Sequence, residues 1–581
     1  MSPMNLTAYT PEMWIEDEEN LTNLLQNSSW ELFPMLNYSD LSGLREGQIV
    51  RFKGMVQDMR TPEYYLEKCV ITNQGTKEQK IKHGKYLEFI KCQDNEVIDF
   101  YSKDTVRKEL QTFYVISTPG ENQWVKDIES KKSIGPVQDN PPANTSLKRS
   151  LDDETTSMMD VDDQPSTSVP LTVKRQCNAV PDQPKPLKMD MSTEYLLNFP
   201  VEDKNGRACL VKMYKSESDV KLNEVYEFIG FLSVDPKLSH EIYCGEESEG
   251  DLEDQVHNPP PSLIPRIHCV TFRKSKHGNP LVGDNELDKC NFEVIRRELL
   301  IALTQLLLGD EVAAEYLLYH MISEVYVRKD VMALGKFSLN LSNIPMAEDM
   351  KYVEKLYEFV QLLVPKSVYF PLTVESINEK TFIPKKDYDS NRLNSGLLQL
   401  SANTSLVLDE TKLQPGKLDQ AGITAVRAIA KVINTQTLSY DFNYYPVDFE
   451  CDIKFLITSE GKSLLPSDCH VVLQPNEEHL ATFNEIIVAL KHFLKPELLN
   501  ECRKYLSMCK LVAYEIEENM HTFIQEKFVE MRQKGETAED LHNILVLNRL
   551  ICLSYGKNAM NADIWERACK LEEKRKQRIS S

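Results

Sequence analysis

Apolar and polar positions alternate along the first ordered stretch of the chain. After the turn glycine Gly47, residues 49–58 place Ile49, Arg51, Lys53 and Met55 on one face of a strand and Val50, Phe52 and Val56 on the other. Gln111 to Ile116 reads as a second strand, closed by a Pro119-Gly120 turn. In Val225 to Leu232 aromatic and β-branched residues dominate and Gly230 interrupts, the pattern of a barrel strand that bends. Further on the period changes. Ile295, Leu299, Ala302, Leu303 and Leu306 share one helical face, and Gly309-Asp310 ends that helix and starts the next. Phe337, Leu339 and Leu341 alternate as a short strand, whereas Val353, Leu356, Val360 and Leu363 return to helical spacing. Val368, Phe370, Leu372 and Val374 again read as strand, and Ser405–Leu408 and Ile453–Ile457 are short apolar runs suited to buried strands. Such alternation predicts a mostly parallel sheet flanked by helices. From residue 476 the pattern is helical: a stripe of Leu506, Cys509, Leu511 and Tyr514, then Phe523–Met531 and Leu541–Leu553.

With 581 residues the chain has room for three or four folded units at about 150 residues each. The boundaries fall at 1–43 (helical), 44–130 (strands), 131–190, 191–289 (strands), 290–475 (α/β) and 476–581 (helical). Segment 131–190 reads as a disordered linker. Asn140-Pro141-Pro142, the acidic runs Asp152-Asp153-Glu154 and Asp160-Val161-Asp162-Asp163, and its many Pro, Ser and Thr residues bury too little apolar area to offset chain entropy. A second acidic stretch, Glu246–Asp254, is expected to project into solvent. Net charge is -22, from 89 acidic and 67 basic side chains, which disfavours bulk affinity for nucleic acid and suits a partner with a basic surface. The 13 cysteines are odd in number and form no CxxC pair, so thiols in a reducing compartment are expected rather than a disulfide framework or a zinc site. Met1 to Trp14 lacks a basic stretch followed by an apolar run, and the apolar run Leu299–Leu308 is far short of the ~18 residues that span a bilayer. A cytosolic or nuclear protein without membrane contact is expected.

Little catalytic chemistry is visible. A phosphate loop wraps phosphate with successive backbone N–H groups while a lysine neutralises it, and its place is after the first strand of the parallel sheet. There the chain reads Leu341-Ser342-Asn343-Ile344-Pro345, without glycine or a Lys-Ser pair, and Pro345 removes a donor. Gly461-Lys462-Ser463 copies the end of the motif, but the earlier glycine is replaced by Leu456, so it reads as a turn. Asp409-Glu410 follows the apolar run Leu406–Leu408 as an ATPase acidic pair would, holding magnesium and orienting water. The competing reading is a strand end whose acids face solvent or cap the next helix, and the missing phosphate loop favours it. No G-x-S-x-G or H-E-x-x-H occurs, and the adjacent pairs His268-Cys269 and Cys469-His470 point to opposite faces of their strands. No catalytic residue, metal ligand or cofactor is therefore expected. Lys148-Arg149 and Lys174-Arg175 in the linker are candidate nuclear import signals.

Several strings together resemble the minichromosome maintenance (MCM) complex-binding protein family. They include Val50–Met59 with Pro62-Glu63-Tyr64-Tyr65, Gln111-Thr112-Phe113-Tyr114 with Pro119-Gly120-Glu121 and Trp124-Val125-Lys126, and Phe228-Ile229-Gly230 with Leu232–Pro236. Ser262–His268, Ala313–Leu317, Leu334–Phe337 and Thr458–Pro466 belong to the same resemblance. A fainter likeness joins Ser395–Leu400 and Leu406–Glu410 to the acidic-motif strand of replicative helicase subunits. It also joins Glu530-Met531-Arg532, Thr537–Leu541, Ile564, Trp565 and Ala568 to their helical lid. The fold these likenesses imply is α/β plus β: a split OB-type barrel in 44–130 and 191–289, a degenerate AAA+-like α/β domain in 290–475, and a C-terminal helical lid. Departures fall on the nucleotide machinery. Glu539 stands where the lid would carry a phosphate-sensing arginine, Ser459 where a sensor asparagine would fall, and Ser467 near the arginine-finger position.

The resemblance implies a non-catalytic nuclear protein that binds the MCM helicase. It would promote disassembly of the helicase from replicated chromatin, with links to DNA replication and sister-chromatid cohesion and a chaperone role toward helicase subunits. Two alternatives follow from the same residues. One is an ATP-driven remodeller using Asp409 and Glu410. The other is a single-stranded nucleic-acid binder that stacks bases on barrel aromatics such as Phe52 and Tyr64.

Overall fold

The computed structural model describes residues 6–93, 95–133, 192–214, 219–233, 256–275, 277–283, 291–329, 332–347 and 350–580. The import-signal residues Lys148, Arg149, Lys174 and Arg175, the acidic stretch 246–254 and nearly all of the expected linker lie outside them. The helix Gln123–Ser133 extends three residues into segment 131–190.

The N-terminal strands are β1 (Ile49–Met59), β2 (Glu63–Asn73), β3 (Gln79–His83), β4 (Glu96–Asp99), β5 (Val106–Ile116), β6 (Ala208–Met213), β7 (Val225–Ser233) and β8 (Arg266–Lys274). Five of them close on themselves in the order β1-β7-β8-β6-β5-β1, with every neighbouring pair antiparallel except β6 and β8. The strand expected at Gln111–Ile116 is the barrel half of a longer one. The other half of β5, Val106–Leu110, pairs with β2 outside the barrel, where β3 and β4 also join β2. The alternation read in β1 is the barrel's inside and outside. Val50, Phe52 and Val56 meet Phe113, Val211, Phe228 and Ile267 in the interior. Ile49 packs with Ile229 and Phe231 under Trp14, Leu21, Leu25 and Trp30 of the N-terminal helical segment. Each large apolar side chain buried in this way contributes about 1.5–3 kcal/mol. Arg51 shares this covered outer surface and pairs with Glu227 at 2.8 Å. The bend expected at Gly230 is a register shift against β8, where a Cβ would lie 2.1 Å from the His268 carbonyl oxygen. Only glycine lets the two backbones approach that closely.

Next come a short hairpin, β9 (Val327–Lys329) and β10 (Met332–Leu334), and then β11 (Leu339–Ser342), β12 (Ser367–Pro371), β13 (Lys385–Asp387), β14 (Arg392–Asn394), β15 (Thr404–Asp409), β16 (Thr437–Asp441), β17 (Pro446–Glu450), β18 (Ile453–Thr458) and β19 (Cys469–Val472). A wholly parallel sheet runs β12-β15-β18-β11-β19. Both of its faces are covered. Leu406, Leu408, Phe455 and Ile457 face the helix Gln420–Thr435 and the hairpins β13-β14 and β16-β17. Val407 and Leu456, one residue out of phase, face the helices Phe292–Leu306, Glu311–Ile322 and Tyr352–Leu363. This is why the runs are continuously apolar rather than alternating. The C-terminal helices, Pro496–Leu511, Glu518–Gln533, Ala538–Ser554 and Ala562–Ser580, share that second core, as the T-shaped pair Phe292–Tyr505 at 5.8 Å shows.

Two expected elements differ. β12 stops at Pro371 and does not reach Val374, because Thr373 caps the helix Val374–Glu379 by accepting the Ser376 N–H at 3.0 Å. The stripe through Leu511 and Tyr514 also breaks. The helix ends at Leu511, which is 38% exposed, while Leu506 and Cys509 are buried. Among the described residues no helix is long and apolar enough to cross a membrane.

Candidate functional site

The carboxyl ends of parallel strands are where an α/β sheet presents loops to a ligand. Here β11, β15 and β18 deliver Ser342-Asn343-Ile344, Asp409-Glu410 and Ser459-Glu460 to one edge. Asp409 is fully buried. Its Oδ2 accepts the Tyr369 hydroxyl at 2.7 Å, and its Oδ1 accepts the Thr411 N–H at 3.0 Å and hydroxyl at 2.6 Å and the Thr458 hydroxyl at 3.3 Å. Both oxygens are engaged by neutral donors, and the carboxylate caps the short helical turn Glu410–Lys412. Glu410 accepts the Ser463 hydroxyl at 2.7 Å and the Leu464 N–H at 3.3 Å. Burial raises its pKa, and the bonds from Ser463 and Leu464 oppose that rise. Its partner is thus the Gly461-Lys462-Ser463 turn, the same segment that imitates the end of a phosphate loop.

The loop after β11 is closed in a similar way. The N–H groups of Asn343 and Ile344, which would have to face a phosphate, donate to the Glu460 and Ser459 carbonyls at 3.0 and 3.3 Å. The side-chain amide of Asn343 donates to Leu473 O at 2.8 Å, and its φ of 59° is one that Asn tolerates better than most residues. Ser342 Oγ lies 2.7 Å from His470 Nε2, and burial together with Arg575 and Lys462 holds that imidazole below its ordinary pKa. The donor set does not fit a magnesium nucleotide: the carboxylates are occupied, the backbone donors are spent, and Pro345 has none to give.

The positions singled out by likeness to helicase subunits have structural duties or none. Ser459 is buried and donates its hydroxyl to Gly461 O at 2.8 Å. Ser467 is half-buried in the turn before β19. Glu539 is exposed in the first turn of the helix Ala538–Ser554, beside the capping box of Thr537 and Asp540, where a negative charge favours the helix. Of the two aromatics considered for base stacking, Phe52 is corrected to barrel core, fully buried. Tyr64 is 72% exposed and donates its hydroxyl to Glu109 at 2.8 Å. His268 is buried beside Tyr214, with ring nitrogen and phenol oxygen 2.6 Å apart, and no group of metal ligands occurs among the described residues.

Sequence reasoning missed a second polar region, where the barrel meets the α/β domain and the C-terminal helices. Asn122 Nδ2 and Trp124 Nε1 both donate to Val364 O, at 2.7 and 3.1 Å. Gln399 reaches Gln57 O at 3.0 Å, and the Tyr440 hydroxyl reaches Asn223 Oδ1 at 2.8 Å. Lys366 and Lys454 are buried there, and Lys53 is half-buried. The available signal was a lysine inside an apolar strand, Ile453-Lys454-Phe455.

Residues 21–579 match the model of a protein family described as Mini-chromosome maintenance replisome factor. Three curated relatives carry the name Mini-chromosome maintenance complex-binding protein. The one from Drosophila melanogaster is 37% identical over 97% of this chain and 95% of its own length. Those from Gallus gallus and Homo sapiens are 38% and 37% identical, each over 96% of this chain and 92% of their own length. This chain therefore belongs to the Mini-chromosome maintenance replisome factor family.

Proposed function

We propose that this protein binds the MCM replicative helicase complex as a non-catalytic partner. The observation that carries the proposal is the self-bonded carboxyl edge of the parallel sheet, in a chain whose relatives are named for binding that complex. Our reading of the fold is an OB-type barrel, interrupted between β5 and β6, followed by a degenerate AAA+-like domain and a helical lid. The closed five-stranded order and the all-parallel sheet support it. A helicase-like body that cannot grip nucleotide offers a ring neighbour a familiar contact surface without the cross-link that ATP supplies. Inserted beside a ring subunit, it loosens that junction. The protein accordingly acts in the nucleus, promotes release of the helicase from replicated chromatin, supports sister-chromatid cohesion and chaperones new subunits. Neither nucleic acid nor membrane is part of this reading.

Crosslinking the purified chain to recombinant MCM subunits, with the linked residues mapped, tests the proposal. Specific links to a subunit are expected; absence of any complex at micromolar concentrations of both would end it. Calorimetry with Mg-ATP separates it from an ATP-driven remodeller. Binding at the Asp409-Glu410 edge, abolished by Glu410→Gln together with function, would favour the remodeller instead.

A further inference from the structure

The barrel, the α/β domain and the C-terminal helices meet around a cleft of about 750 Å³. That volume is in the range of small-molecule sites, roughly 300–1,000 Å³. Acidic and basic side chains line it in equal number, so the cleft as a whole calls for no counter-ion. One amine on its wall stands apart. Lys366, just before β12, is buried, and its Nζ donates to Ser401 Oγ at 2.9 Å and to Ala402 O at 2.5 Å. Among the described residues no carboxylate lies within 4 Å of it.

An ammonium has three N–H groups to satisfy, and an uncharged amine has two. Two neutral acceptors therefore suit the uncharged form and leave its lone pair without a donor. The surroundings act in the same direction. Burial first, and the charge of Lys510 next, bring Lys366 down to about 7; Lys53 adds to this, while Glu121 and Asp452 oppose it from a distance. A desolvated lysine beside another cation is how proteins make an amine nucleophilic. Lys454 is held low in the same way but does not border the cleft, so of the two Lys366 alone joins an uncharged amine to an open space. Glu121 supplies a complementary group. Its backbone bridges that of Lys366, and its side chain borders the same cleft. Burial pushes its carboxyl up to about 7, against the pull of Lys53 at 3.8 Å. Near neutral pH such a carboxyl holds a proton that it can give up.

We propose that Lys366 is a site of imine formation with a small aldehyde or ketone. The Nζ lone pair adds to the carbonyl carbon as the C=O pair moves onto oxygen, and a proton passes from nitrogen to that oxygen to give a carbinolamine. Glu121 protonates the hydroxyl, which leaves as water, and the iminium returns a proton to the Glu121 carboxylate. One amine and one carbonyl compound thus give an imine and water, with nothing oxidised or reduced. The site is separate from the carboxyl edge of the sheet and does not rest on helicase binding.

The test is reductive trapping in the full chain, with propionaldehyde and cyanoborohydride at pH 7 and the modified lysines timed by mass spectrometry. An ordinary exposed lysine is unprotonated there in only about one part in a few thousand. Lys366 should be trapped at least about tenfold faster than exposed Lys385 and Lys417, while Lys454, away from the cleft, stays unmodified. Acetylation by a succinimidyl ester from pH 6 to 9 reports the free amine alone, and at Lys366 it should reach half its plateau near pH 7. Lys510→Gln should raise that midpoint and slow acetylation at pH 7 about threefold or more, because a neighbouring cation is lost. Glu121→Gln should slow trapping but not acetylation. The proposal is overturned if Lys366 is trapped no faster than Lys385, if Lys454 reacts as fast as Lys366, or if Lys510→Gln leaves the midpoint in place. Undiminished trapping in Glu121→Gln would overturn the role given to that carboxyl.

Discussion

Two polar regions of this molecule are built around groups of opposite charge and are satisfied in different ways. At the carboxyl edge of the parallel sheet, Asp409, Glu410, Ser342, Asn343 and Ser459 bond to one another and to backbone. At the junction of the three modules, Lys366, Lys454 and Lys510 meet neutral acceptors. The first region is where an ATPase would bind its ligand, and it is closed. The second has no counterpart among the motifs of the sequence, and its wall carries acidic and basic side chains in equal number. Residues that read as a motif in sequence can thus serve as scaffold, while a buried charge that belongs to no motif shows only in the folded structure.

The largest expected effect tests the closed region. Asp409→Ala removes the acceptor for Tyr369, Thr411 and Thr458 in a buried setting, at a cost of about 3 kcal/mol. Urea denaturation should show that loss, with helicase binding reduced only as far as folding is. A stable Asp409→Ala protein lacking only helicase remodelling would mean that the edge is catalytic after all.

Next is the seam between the regions. Gly120 has a φ of 70°, and a Cβ there would lie 2.7 Å from Val368 Cγ2. Gly120→Ala should destabilise by about 2 kcal/mol, through strain at positive φ and the contact with β12. Hydrogen exchange should show the loss concentrated where the barrel meets Ser367.

A smaller effect concerns pH. Burial holds the Lys366 ammonium down to about 7, below its ordinary 10.5. Between those values the unfolded chain binds more protons than the folded one, so this group makes stability rise with pH across roughly 7 to 10.5. Lys366→Met should flatten that rise in thermal melts from pH 7 to 10; an unchanged slope would mean that the ammonium is better solvated than its surroundings indicate.

The smallest effect is Glu410→Gln. The amide can turn its oxygen to the Leu464 N–H and donate its NH2 to Ser463 Oγ, and the cost of burying a charge disappears. Stability should therefore change by less than about 0.5 kcal/mol at neutral pH. Because burial raises the Glu410 pKa, its carboxyl opposes stability as pH rises through that value, and Gln removes the dependence.

Much of the element order could be read directly from the residues, because a period of two or of 3.6 is a local property. Val50, Phe52 and Val56 reach the barrel interior as their alternation predicts, and Leu299, Leu303 and Leu306 reach the helical core. The errors were local too. Val374 continued an apolar alternation that the Thr373 cap interrupts, and Tyr514 continued a stripe after its helix had ended at Leu511. Absence of a phosphate loop was legible in Pro345 and Leu456. What takes its place was not, because Tyr369 on β12 and the turn holding Glu460 and Ser463 after β18 are far apart in the chain and meet the Asp409-Glu410 edge only in the folded sheet. The junction was least legible of all. Lys454 lies inside an apolar run, and the Met321 carbonyl it donates to is set by tertiary structure.

The barrel's closure sets a schedule for synthesis. β1 ends at Met59, yet the strand that covers its second edge, β7, begins at Val225. At about 5–20 residues per second, a ribosome needs roughly 10–30 s to bridge that interval. Throughout it β1 presents unpaired N–H and C=O groups beside a fully apolar inner face, a template on which another nascent strand can pair. The polypeptide is thus most exposed to misassembly long before its last helices are made. A holdase acting on the first 230 residues should raise the yield of folded protein more than one acting on the completed chain.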